Sequence, residues 1–213
     1  MTVLTEPLPR EQKLMLQRLM ASHVLENNEA KQMFAAIHSS LQKDGFEVDV
    51  NLSVEECFAE INQQLTKGFD LEIATVVLDQ TKYHAVINSH SDDVSKLSFN
   101  NHFDAHDRQL IIMIFQHLVD RDEGEGISRK DLINLRGDLK EPYKLSLTAA
   151  EHIVETLIQE QWLRLTNEND ENRRRSMQAG LQLAPRTYLE LSHLLVDMGI
   201  PQDELPQFIF HRL

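Results

Sequence analysis

The spacing of apolar residues changes along this chain from a helical repeat to a strand-like alternation, and it does so twice. In the first part, three segments carry apolar residues three or four positions apart, as on one face of a helix. Two short alternating segments follow, as in a β-hairpin. The same order returns after a polar stretch, which predicts two small units of similar design.

The first unit is predicted to span residues 1–88. Ser53, with Glu56 three residues later, forms a capping-box pattern ahead of the third helix. Gly45 and Gly68 mark helix ends. The expected elements are helices at about 9–23, 27–45 and 53–68, and strands at 71–77 and 83–88 joined by a polar turn at 79–82.

A polar linker is expected at residues 89–103, and the second unit at 104–199. Asp104 and Ser128 are predicted helix caps, and Thr148 with Glu151 is a second capping-box pattern. The expected elements are helices at about 104–121, 128–135, 148–160 and 185–199, and strands at 162–166 and 177–184. Two copies of three helices and a hairpin predict a mostly helical α+β fold of tandem winged-helix domains. Residues 200–213 are left as a tail.

Composition excludes several classes of protein. The longest apolar run, Leu110 to Phe115, is far shorter than the roughly 20 residues of a membrane span. The single cysteine, Cys57, excludes an internal disulfide and a cysteine-rich zinc site within this chain, so no cofactor is expected here. A net charge of -13 makes proteins better default partners than the phosphate backbone of DNA.

A winged helix invites a DNA-binding hypothesis, in which the third helix of each unit enters the major groove. The charges oppose it, because the two third helices are acidic. They carry Glu55, Glu56 and Glu60 against Lys67 in the first unit, and Glu151, Glu155 and Glu160 in the second.

The alternative DNA contact is the tip of the second hairpin, where Arg173, Arg174 and Arg175 form a basic run. Such a wing could touch phosphate without reading sequence. Three neighbouring acids, Glu168, Asp170 and Glu171, oppose this by neutralising the run locally. A solvated charged turn is therefore preferred, with the DNA-binding regulator kept as the alternative function.

Sites for metals and catalysis are poorly supported. Asp104 already serves as a helix cap, which weakens a metal cluster with His102, His106 and Asp107. A calcium-loop reading between Asp120 and Asp131 breaks at Glu125, where the sharp turn requires glycine. Cys57 lies beside acidic residues that disfavour a thiolate, so a packing role is expected. We predict neither a metal site nor a catalytic residue in this chain.

Surplus apolar residues are the more informative feature. The segment Leu110 to Phe115 covers every side of its helix, so it is expected to be buried on two sides, by internal packing or by a partner. Side chains without an obvious internal role are candidate partner contacts. They are Leu14, Ile112, Met113, Leu205, Phe208 and Phe210.

Several segments resemble a known family. They are HVLENNEAKQM from His23, FDLEIATVVLDQTKYHAVIN from Phe69 followed by Ser98 and Phe99, HDRQLIIMIFQHLVD from His106, and AEHIVETLIQEQWL from Ala150. Together they resemble the non-SMC element one family of the SMC-five/six complex. The resemblance extends from about Lys13 to Leu195.

This resemblance implies two winged-helix domains, a nuclear, chromosome-associated location and a role in homologous-recombination DNA repair. It also implies a scaffold subunit that binds a MAGE-domain subunit and the kleisin, with DNA contacted indirectly and no membrane involved. Family members continue into a zinc-binding RING domain that recruits a ubiquitin-conjugating enzyme, which makes the complete protein an E3 ubiquitin ligase. This chain ends at Leu213, about where that domain is expected to begin. We therefore expect a shortened or natural form without it, whose zinc and ligase activity belong to the missing part.

Overall fold

The computed structural model describes residues 7–88, 103–120, 126–166 and 176–211. These residues form two compact units. The first contains residues 7–88 together with 206–211, and the second contains the described residues from 103 to 205. No helix within the described ranges is both long and apolar enough to cross a membrane.

The first unit packs three helices against a sheet. Helix α3 (Val54–Gly68) begins as predicted, because the Ser53 side chain accepts a hydrogen bond from the Glu56 backbone and the Glu56 side chain accepts one from the Ser53 backbone. The apolar faces of the helices meet in a core that includes Met15, Phe34 and Phe58. The elements are α1 (Arg10–Ser22), β1 (Leu25–Glu26), α2 (Asn27–Lys43), α3 (Val54–Gly68), β2 (Leu71–Leu78) and β3 (Thr81–Asn88).

The hairpin of the first unit has a tighter turn than the sequence analysis predicted. Strands β2 and β3 pair from Leu71 with Asn88 to Leu78 with Thr81, so only two residues form the turn. Asp79 and Gln80 both have positive φ, 48° and 64°, as the two central residues of a type I′ turn require. Aspartate is among the residues that tolerate this backbone conformation better than most others.

The second unit has the same order of helices and strands. Asp104 caps its first helix by accepting hydrogen bonds from the backbone of His106 and Asp107, and Ser128 caps the next by accepting one from Asp131. The elements are α4 (Ala105–Asp120), β4 (Ile127–Ser128), α5 (Arg129–Asn134), a 3₁₀ turn (Leu135–Asp138), α6 (Leu147–Gln159), β5 (Leu163–Leu165), β6 (Gly180–Leu183), α7 (Pro185–Glu190) and α8 (Ser192–Asp197). The mostly helical α+β fold with small antiparallel sheets is confirmed.

Two details of the second unit correct the sequence analysis. The predicted capping box of Thr148 and Glu151 is wrong, because helix α6 starts at Leu147 and its cap is Ser146, whose hydroxyl accepts from the Ala149 backbone at 3.1 Å. The single helix predicted at 185–199 is divided at Leu191. That residue leaves helical geometry (φ −120°, ψ 25°), and its side chain is fully buried in the core.

Three strands were not predicted. The two-residue strands β1 and β4 each pair with the last strand of their own hairpin, which gives each unit a three-stranded sheet. The third is β7 (Phe208–Phe210), which pairs with β2 and extends the first sheet to the order β1-β3-β2-β7. The sequence analysis predicts a single tail at residues 200–213. In the structure Leu205 belongs to the second unit. Residues from Pro206 belong to the first unit, where β7 pairs with the edge of β2 that β3 leaves free.

Candidate functional site

The predicted contacts on helices are half-buried. Leu14 on α1 packs against the core of the first unit, and Ile112 and Met113 on α4 pack against the core of the second. The fully buried face of α4 is formed by Leu110, Ile111, Ile114 and Phe115. These three side chains therefore have a packing role and still expose part of their surface. Their role in binding a partner stays a prediction.

The predicted contacts near the C-terminus lie in different units. Leu205 packs half-buried against the core of the second unit. Phe208 and Phe210 lie in β7 of the first, opposite Val76 and Ala74 of β2, and their rings meet edge to face. The Phe210 side chain is 38% exposed and that of Ile209 is 41% exposed. The end of the chain thus presents apolar groups at the edge of a sheet.

The most exposed apolar side chains were missed by sequence reasoning. Phe69, directly after α3, is 70% exposed, and Val50, in the loop before α3, is 68% exposed. Met20 on α1 is also exposed. The only signal in the sequence was that Phe69 follows Gly68 and stands outside the helical repeat. Large apolar groups that remain in water are candidates for burial by another protein.

The described part of the structure gives little support to a DNA-reading helix. On α3, Glu60 accepts a hydrogen bond from Gln12, and Glu56 is held in its capping box, whose hydrogen bonds from Ser53 lower the pKa of that carboxyl. On α6, Glu155 pairs with Arg129. Both helices keep their acidic character, which repels phosphate. Arg173, Arg174 and Arg175 lie outside the described residues.

The most elaborate polar cluster in the described part of the first unit joins β2, β3 and the C-terminus. The Thr75 hydroxyl lies 2.7 Å from Nδ1 of His84 and 2.6 Å from Nε2 of His211. His84 Nε2 lies 3.1 Å from Oδ1 of Asn27 at the start of α2. Both imidazole rings also contact the ring of Phe58 on α3. Strands β2 and β3, helices α2 and α3 and the segment that contains His211 therefore meet at one point.

This cluster resembles a hydroxyl nucleophile beside a base and an orienting amide, but its burial opposes catalysis. The Thr75 side chain is 1% exposed and that of His84 is also 1% exposed, so neither can reach a substrate in this conformation. The pKa of His84 is lowered to about 4, first by burial and then by the neighbouring His211. The pKa of His211 is also lowered, mainly by burial. Both rings are neutral at pH 7 and serve as hydrogen-bonding groups.

Asn62 forms a second polar anchor beside this cluster. Its Nδ2 donates to the Ile73 carbonyl at 2.9 Å and to the His211 carbonyl at 3.2 Å, and its Oδ1 accepts from the Ile73 amide at 2.7 Å. The side chain is buried, so its amide dipoles are satisfied entirely by backbone. Asn62 thereby connects α3 to β2 and to the end of the chain.

The residues of the remaining sequence hypotheses have simple structural roles. Cys57 is fully buried in the first core, and burial raises the pKa of its thiol to about 12, with Glu60 and Glu11 adding to the effect. Asp104 and Asp131 serve in helix caps, and His102 lies outside the described residues. No group of three or more histidine, cysteine, aspartate or glutamate side chains with metal-binding proximity occurs in the ranges that the structure describes.

Two units, each with three helices ahead of a hairpin in a small antiparallel sheet, place this chain in the class of tandem winged-helix-like proteins. The profile of the family described as Nse1 non-SMC component of SMC5-6 complex matches residues 12–191. The chain belongs to this family, as its resemblance implied.

A chain in a solved structure of an Nse1-Nse3-Nse4 complex has a similar fold. It is 18% identical, with a TM-score of 0.68 over 89% of this chain and 74% of that chain. At this level of identity the likeness shows the fold alone. No curated protein matches the sequence.

Proposed function

We propose that this chain is a scaffold subunit of an SMC5-6 complex, which binds a MAGE-domain subunit and the kleisin. The family match over residues 12–191 carries the proposal. The neighbour of similar fold comes from an assembly with Nse3 and Nse4, which agrees with those two partners. Acidic third helices and exposed apolar side chains favour protein contacts over direct contact with DNA.

The wider role follows from the same membership. We propose a nuclear, chromosome-associated protein that serves homologous-recombination repair and meets DNA through its partners. Ubiquitin-ligase activity and binding of a ubiquitin-conjugating enzyme would belong to a RING domain outside this chain. The zinc of such a domain does not fit the described residues, because Cys57 is the single cysteine of the sequence and is buried in a core.

The partner surface is proposed to include the exposed apolar side chains of the first unit. Replacing Phe69 with serine is expected to weaken binding of the MAGE-domain subunit about 30-fold, the effect of losing a contact worth about 2 kcal/mol. Because Phe69 is 70% exposed, the substitution should leave the fold unchanged. Titration calorimetry with the purified MAGE-domain subunit of the same organism measures the affinity.

The matched control for this experiment is Lys67→Ser, which alters a neighbouring exposed residue of α3 without removing apolar surface. Parallel titrations with Leu14→Ala, Met113→Ala and Phe210→Ala test the contacts predicted from sequence. Unchanged affinity for Phe69→Ser would exclude this face. If the unaltered chain binds no MAGE-domain subunit yet binds duplex DNA, the regulator function replaces the scaffold.

A further inference from the structure

The last described residues form a short strap that returns to the first sheet. We call Pro206–His211 the C-terminal strap. Its strand β7 pairs only three residues with β2, from Ala74 opposite Phe210 to Val76 opposite Phe208. By contrast, β2 and β3 pair along eight residues. The strap is therefore held by a small part of the ladder.

The edge that receives the strap has a defined end. The Asn62 side chain hydrogen bonds with both the amide and the carbonyl of Ile73, so these groups cannot pair with a neighbouring strand. In an antiparallel ladder the outward-pointing backbone groups alternate, so Thr75, two positions on, directs its own groups toward Ile209. Asn62 also donates to the His211 carbonyl, which anchors the last described residue of the strap.

One side chain of the strap is recognised specifically. The His211 ring bonds the Thr75 hydroxyl, and the same hydroxyl bonds His84. The ring of Phe58 supports both imidazoles, at centroid distances of 5.1 Å for His84 and 5.4 Å for His211. An apolar side chain at position 211 would lose the bond to Thr75, so the imidazole contributes to recognition of the strap.

Burial of apolar side chains contributes only part of the strap's attachment. Phe208 is half-buried, whereas Ile209 and Phe210 remain 41% and 38% exposed. Because the hydrophobic contribution scales with the area removed from water, the strap gains much less than fully buried side chains would provide. Most of its attachment thus lies in three ladder residues, the Asn62 bond and the His211 ring.

We propose that the outer edge of β2, from Ala74 to Val76, is a strand-acceptor site that the C-terminal strap occupies reversibly. The site takes an extended segment with the pattern aromatic, aliphatic, aromatic, histidine, as in Phe208 to His211. Backbone pairing supplies affinity, and the Thr75 pocket for histidine supplies specificity, as in other cases of strand addition. Release of the strap opens this edge to the same segment of a second copy of the chain.

The first test is hydrogen exchange of the full chain, followed by mass spectrometry. Amides of the strap are expected to exchange faster than those of β3, because the strap opens without unfolding the unit. His211→Ala should accelerate strap exchange about fivefold to tenfold, the effect of one lost hydrogen bond, and leave β3 unchanged. The control is His193→Ala, which removes an exposed histidine of the second unit.

The second test uses a fluorescent peptide of residues 206–213, PQFIFHRL, added to the same variants. His211→Ala should bind it measurably, whereas the unaltered chain, whose edge is occupied, and His193→Ala should bind at least tenfold more weakly. Ile209→Pro, which removes the backbone donor opposite Thr75, is a second strap-releasing variant and should behave like His211→Ala. Strand exchange between two copies, seen as dimers by light scattering, would also support the acceptor edge.

Two results would overturn the proposal. Strap amides that exchange only at the rate of β3 would show that the strap does not open separately. Loosened variants with normal β3 protection that bind no peptide would show that the edge is not an acceptor.

Discussion

Replacing Arg186 with methionine is expected to destabilise the second unit by about 3 kcal/mol, because the change removes a buried cation from two partly buried carboxylates. The Arg186 side chain is 6% exposed. Its guanidinium donates to the Glu160 carbonyl at 2.6 Å and pairs with the carboxylates of Glu160 at 3.3 Å and Glu190 at 2.7 Å. It also lies 4.0 Å above the ring of Trp162. One side chain thus joins the end of α6, the start of β5 and helix α7.

The measurement is urea unfolding followed by tryptophan fluorescence. Trp162 is the only tryptophan of the sequence and belongs to the second unit, so its signal reports that unit. Methionine keeps much of the apolar stem volume, so a loss of this size reflects the missing charge and its hydrogen bonds. Lys140→Met removes an exposed cation of the same unit and should change the free energy of unfolding by less than about 0.5 kcal/mol. A loss below about 1 kcal/mol for Arg186→Met would contradict the account.

The first unit is expected to lose about 3 kcal/mol of stability as the pH falls from about 6.5 to 4. In the unfolded chain a histidine titrates near pH 6.5, whereas the pKa of buried His84 is lowered to about 4. Between these values the unfolded state binds more protons than the folded state, so lowering the pH favours unfolding. Above about pH 6.5 His84 is neutral in both states and this dependence vanishes.

The surroundings of His84 explain the direction of this shift. Burial is the main cause, followed by His211; Lys82 on β3 and Lys31 on α2 also lower the pKa, and Glu55 on α3 raises it. Protonation of His84 would place a buried cation against the Thr75 hydroxyl that His211 shares. His211, whose pKa is lowered too, adds to the loss in the same direction.

Calorimetric unfolding at several pH values checks this second prediction, with Trp162 fluorescence identifying the transition of the second unit. His84→Gln should be less stable than the unaltered protein at pH 7 and should lose much less stability between pH 6.5 and 4. His193→Gln, which alters an exposed histidine, should keep the original pH dependence. Equal slopes for His84→Gln and the unaltered protein would show that His84 does not carry the effect.

Sequence reasoning succeeded where structure depends on near neighbours. The caps at Ser53, Asp104 and Ser128 were predictable because their partners lie two or three residues away. The helix stripes were predictable because burial repeats with the helical period. Thr148 was mistaken for a cap because Glu151 follows it at capping-box spacing, whereas the helix begins earlier, where Ser146 accepts a hydrogen bond from the Ala149 backbone.

The rest depended on distant pairing. Strands β1 and β4 have two residues each, too few to show a period. Strand β7 pairs with a strand more than 130 residues earlier, and the Thr75 hydroxyl meets His211 across 136 positions. Asn62 looked like one polar residue of an amphipathic helix, yet its amide holds two backbone segments. Nothing in local periodicity indicates such contacts, so the candidate site emerged only from the folded structure.

The scaffold role is tested most directly by mixing this chain with the purified MAGE-domain subunit of its organism, with and without the kleisin. Size-exclusion chromatography with light scattering then gives the mass of each species. We predict a stable one-to-one complex with the MAGE-domain subunit, which the kleisin joins. A chain that stays monomeric with both partners, and instead binds duplex DNA with an affinity that falls steeply as salt rises, would contradict the account.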